Sequence, residues 1–84
     1  MDHILDSIKT ERGYQKERWG GVADDAANNT PTDWTAYISK YSTGYLDGLP
    51  PHNYEDDFRT SMLKVATLAV AAIEASEYKE KNNA

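Results

Sequence analysis

Asp24 and Asp25 stand side by side in the chain. A carboxylate pair of this kind suits Mg²⁺, because hard cations take carboxylate oxygens and need only one or two from the protein when phosphates complete the shell. It suits an ordinary solvated turn equally well. Trp19 is followed by Gly20 and Gly21. A ring beside backbone that can approach closely offers a base a stacking surface, or the tryptophan folds its loop back onto the core. Trp34, Tyr37 and Tyr41 recur at i, i+3 and i+7, an aromatic stripe that is either core or, because buried tyrosine hydroxyls need partners, a polar and partly wet interior. Lys64 lies near the middle of the most apolar stretch, where an ammonium must reach out to water or meet an anion. Glu74, Glu77 and Glu80 are spaced by three with Lys79 and Lys81 interleaved, which reads as a solvated face with local ion pairs.

Three helices must position these groups. Ile4, Leu5 and Ile8, continued by Glu11, Arg12 and Gln15, predict a first helix over about 2–17. Thr30, Pro31, Thr32 and Asp33 combine a threonine cap, proline at the first helical position and an acid that can reach back, so a second helix starts there and runs over about 31–47. A polar connection of about 18–30 joins the two. Pro50 and Pro51 then break the chain. Asn53 caps a third helix over about 54–80, with Glu55, Asp56 and Asp57 in its first turn, where the helix dipole favours negative charge. Phe58, Met62, Val65, Ala69, Ala72 and Ile73 form its main stripe, while Leu63 and Val70 lie on a second side with Ala66 between. A helix apolar over so much of its circumference wants two neighbours, one of them from another subunit.

Composition narrows the classes. Eighty-four residues make one domain, near the size at which a single core only just balances chain entropy. The chain has no cysteine, and its two histidines, His3 and His52, are far apart, which excludes a thiolate metal site and argues against structural zinc. The net charge of −5 argues against binding nucleic acid through counterion release. The segment MDHILDSIK carries two acids and no long apolar run, and the stretch from Val65 to Ile73 is too short to span a bilayer, so a cytoplasmic protein without membrane partners is expected.

The pattern E-R-x-x-Q-x-x-x-W-G at Glu11, Arg12, Gln15, Trp19 and Gly20, then Asp24 and Asp25, then KVATLAVAAIEA, resembles small phage-encoded MazG-like proteins. These are relatives of the all-α nucleoside triphosphate pyrophosphohydrolases, and the resemblance covers about Ile4 to Glu77. It implies a helical oligomer that releases pyrophosphate using Mg²⁺ held by Glu-x-x-Glu on one helix and Glu-x-x-Asp on the next. The chain departs from that pattern at the metal ligands. No carboxylate lies between Asp33 and Asp47, and Ser61 and Lys64 stand where phage relatives place E-x-x-D. A lysine neutralises a phosphate but neither holds a metal nor activates water.

The expectation is therefore an all-α, compact three-helix domain, completed by homo-oligomerisation, that binds a nucleotide or nucleotide-derived immune signal and sequesters it without hydrolysis. Trp19 and Trp34 would stack on it, Tyr37 and Tyr41 would hydrogen-bond it, and Arg12, Lys40 and Lys64 would take its phosphates, with no cofactor. Two alternatives stay open. One is an Mg²⁺-dependent pyrophosphohydrolase with Asp24 and Asp25 as metal ligands, and the other is a structural or protein-binding helical module whose aromatic face is all core.

Overall fold

The computed structural model describes residues 1–47 and 54–82, which are helical with no strand among them. The order is α1 (Asp2–Trp19), α2 (Val22–Asn28), α3 (Pro31–Ser42), a 3₁₀ turn (Gly44–Asp47) and α4 (Tyr54–Asn82). The all-α class is as expected, but the described residues form four α-helices rather than three. Most of the expected connection over 18–30 is α2, and the second expected helix stops at Ser42, its last turns replaced by the 3₁₀ turn. Asn53, expected to cap α4, lies outside the described residues.

Local chemistry sets two of the boundaries. α1 ends at Gly20, whose φ of 91° is open only to glycine without strain, and a Cβ there would run into the Asp24 carboxylate. At the start of α3 the threonine cap forms as the sequence predicts. Thr30 Oγ1 accepts from the Asp33 N–H at 3.3 Å and Asp33 Oδ2 accepts from the Thr30 N–H at 2.8 Å. Pro31 occupies the first helical position, where its missing N–H costs nothing.

α4 is the spine. α1, α2 and α3 each pack on it, while α1 and α3 make no contact with one another. The core is thin: among the described residues the buried apolar side chains are Ala26, Leu68, Ala71 and Ala75. Ser61 and the fully buried Thr67 share the inner side of α4. This corrects the expected stripe, since Phe58 and Ile73 are exposed, as is Val70. Small residues face inward because they let three helices approach one backbone. The turn of about 100° per residue places Phe58, Met62, Ala66, Val70 and Ile73 together on the opposite third of the helix.

What apolar burial does not supply, a buried guanidinium does. Arg12 on α1 donates through Nε to Glu74 Oε1 on α4 at 2.8 Å, through Nη2 to Asp25 Oδ2 on α2 at 2.8 Å, and through Nη1 to Gln15 Oε1 at 3.3 Å. Its side chain is 7% exposed and that of Asp25 9%. Burial alone would lower the Arg12 pKa, but the hydrogen bonds it donates to Glu74 and Asp25, together with their charges, carry it above the usual guanidinium value. Because the folded value is raised, the stabilisation is fully present through the neutral range and lost only when strongly alkaline pH rises through it.

Two stability changes follow. Arg12→Ala should destabilise the fold by about 3 to 5 kcal/mol in chemical denaturation, because it leaves the Asp25 carboxylate buried without its counter-charge; a loss under 1 kcal/mol would remove Arg12 from the centre of the fold. Thr30→Ala should lower stability by about 0.5 to 2 kcal/mol through loss of the cap, and an unchanged melting temperature would contradict the role given to that hydroxyl.

Candidate functional site

α3 carries its aromatic residues on one side, yet none of its side chains is fully buried. That face is therefore not closed core. Trp34 and Tyr37 meet edge to face, their ring centroids 6.3 Å apart at 81°, the arrangement favoured by ring quadrupoles. Between this face, α2 and α4 lies a cavity of about 290 Å³, lined by Asp25, Asn29, Trp34, Tyr37, Lys40, Tyr41 and Leu68. Its size is at the lower end of ligand sites, enough for a ring with part of a sugar and too small for a whole nucleoside triphosphate. On the other side of Trp34 a cavity of about 310 Å³ is lined mainly by apolar groups, among them Ile38, Ala72 and Ala75. Its Lys79 ammonium is engaged with the Asn29 carbonyl at 2.8 Å. The chemistry is on the first side.

Two ammonium groups flank one ring there. Lys40 Nζ lies 5.9 Å from the Tyr41 centroid and Lys64 Nζ 5.7 Å from it, both within cation–π range. Lys64 also donates to Glu11 Oε1 at a long 3.4 Å, and its side chain is 40% exposed, so it reaches out of the apolar helix toward both a carboxylate and the cavity's edge. Lys40 makes no ion pair among the described residues. In a chain of net charge −5, two ammonium groups thus stand at one aromatic ring, Lys64 shared with Glu11.

The residues singled out from sequence thus divide. Trp34, Tyr37, Lys40 and Tyr41 border one cavity and Lys64 stands against its Tyr41 wall. Arg12 does not line it; its guanidinium is spent behind the wall on Asp25, Glu74 and Gln15. Trp19 ends α1, and its side chain lies outside the described set. Asp24 and Asp25 diverge, Asp24 exposed and Asp25 buried. No group of three or more His, Cys, Asp or Glu side chains among the described residues is placed to hold a metal ion.

Three cavity residues escaped the sequence reading as ligand contacts. Asn29 donates its amide to the Asp25 carbonyl at 3.2 Å and so closes the end of α2. Leu68 is one of two leucines on α4, and Asp25 is brought in only by α2. An Asn directly before a capping threonine, at the junction of two short helices, was the one available signal. No helix among the described residues is long and apolar enough to cross a membrane. Comparison of the chain with family models, with curated proteins and with solved structures found no match.

Proposed function

We propose that the cavity between α2, α3 and α4 binds a nucleotide-type ligand without turning it over, the ring against Trp34, the hydroxyls of Tyr37 and Tyr41 beside the sugar, and the phosphate at Lys40 and Lys64. The observation that carries this reading is the convergence on one cavity of an aromatic wall and two cations at the same ring. An aromatic surface binds the planar part, and ammonium groups bind the anion without a metal. The Mg²⁺-dependent alternative would use Asp24 and Asp25, but a cation at Asp25 competes with the guanidinium already 2.8 Å away. If the kinship to phage proteins holds, binding without hydrolysis serves to sequester the ligand.

The test is calorimetry with nucleoside mono- and triphosphates, with Mg²⁺ and with EDTA. Lys40→Ala, at an exposed position, and Lys64→Ala should each weaken binding by about 1.5 to 3 kcal/mol, the scale of a hydrogen bond to a charged group, and EDTA should change nothing. Metal-dependent release of pyrophosphate would overturn the reading in favour of the hydrolase. No binding of any nucleotide would leave the helical module.

We also propose that the working unit is a homodimer, a second copy covering the outer face of α4 and the neighbouring face of α1. The radius of gyration is 14.2 Å, against about 12 Å for a compact chain of this length. The chain exposes 6123 Å², roughly 1,100 Å² more than a typical folded monomer of its mass, and a standard interface takes about 800 Å² from each partner. A groove of about 490 Å³ along this face is lined by Ile4, Ile8, Phe58, Met62, Leu63 and Ala66 among others, and Ile73 is 59% exposed. A two-fold contact brings each face onto its own copy. Light scattering at micromolar concentration should give twice the chain mass, and Ile73→Glu should return it toward the monomer; a wild-type monomer at all concentrations would remove the proposal.

A further inference from the structure

Asp25 raises a question that the fold does not answer. A carboxylate offers about four lone-pair positions, and among the described residues the Asp25 carboxylate receives one hydrogen bond, from Arg12 to Oδ2. Its Oδ1 accepts none from the described residues, although the side chain is only 9% exposed and Asp25 lines the aromatic cavity. A buried acceptor without a donor is costly, and such groups are completed by water or by a ligand. Arg12 fixes this carboxylate in place through Nη2 at 2.8 Å, so its other oxygen is a preformed acceptor rather than a wandering side chain.

We infer that Asp25 is a specificity-determining residue of the proposed nucleotide site, accepting a hydrogen bond from a neutral donor on the ligand. The inference rests on the reading of the cavity as a nucleotide site and refines it. A phosphate is repelled by this carboxylate and drawn to Lys40 and Lys64, whereas a ligand cation is repelled by those lysines. The ligand therefore carries its anion and its donor on separate parts and enters in one orientation. In a nucleotide that donor is either the N1–H and 2-amino edge of a guanine-type base or the ribose 2′-hydroxyl. Adenine offers one amino group beside an acceptor nitrogen, a poorer match to a carboxylate oxygen.

Wild-type protein titrated calorimetrically with the 5′-monophosphates of guanosine, inosine, adenosine and 2′-deoxyguanosine separates the two sources. A base donor gives guanosine at least tenfold tighter than adenosine, with inosine between and the deoxy form unchanged. A ribose donor gives the three ribonucleotides similar affinity and the deoxy form at least tenfold weaker. In either case Asp25→Asn should abolish the preference while retaining phosphate-dependent binding, and because the ligand series is read on wild type, it decides even if that variant does not fold. Equal affinity for all four would overturn the assignment of Asp25, water then completing Oδ1, and would leave the nucleotide site standing. Failure of all four to bind would remove the site itself.

Discussion

The structure depends on one buried guanidinium. Arg12 meets an acceptor on α1, one on α2 and one on α4 through three different nitrogens, and the planar fork of arginine fixes the directions of all three. Three alanines and one leucine bury too little area to choose one helix register over its neighbours. A buried ion network is not a strong source of net stability, because desolvation offsets most of its attraction. Its contribution is of another kind: any shift of α2 or α1 along α4 strands a charge in a dry place, which a slide between smooth apolar faces would not do.

The cavity is a consequence of the same arrangement. α1 and α3 do not touch, and both lean on α4 with α2 between them, so the groove beside α3 is not filled by a fourth helix. Seven-residue α2 is too short to be stable alone. It is held by Arg12 at Asp25 and, at its end, by the Lys79 ammonium on the Asn29 carbonyl. Both anchored residues line the cavity. The wall facing the aromatic residues is therefore pinned from behind, which is how a binding surface keeps its geometry without bulk.

How much of this was legible follows from how local each signal is. Thr30, Pro31 and Asp33 act within four residues, and the cap they predict is present. The aromatic stripe on α3 is a matter of period, so Trp34, Tyr37 and Tyr41 are legible together. α2 was not legible, because two turns carry no periodicity that outweighs two aspartates and two asparagines. The Arg12 network links positions 13 and 62 apart, and nothing in either neighbourhood points to the other. The inward face of α4 was misjudged for a physical reason: the largest apolar side chains were taken as core, whereas close approach of three helices to one backbone selects Ser61, Ala71 and Ala75 and turns Phe58 and Ile73 outward.

That inversion connects assembly to the site. A small protein whose bulky side chains face away from its own core has separated two tasks that most domains combine. Small residues set the helix positions, with one polar network to choose the register, and apolar area is left exposed on the far side. The aromatic cavity lies on the inner side, bordered by Leu68, and the exposed Val70 and Ile73 lie on the outer one. A partner on the outer face would stiffen α4 without covering the aromatic cavity. Since α4 carries Glu74 toward Arg12 and Lys64 toward Tyr41, stiffening that one helix steadies Asp25, through Arg12, and Lys64 at the same time.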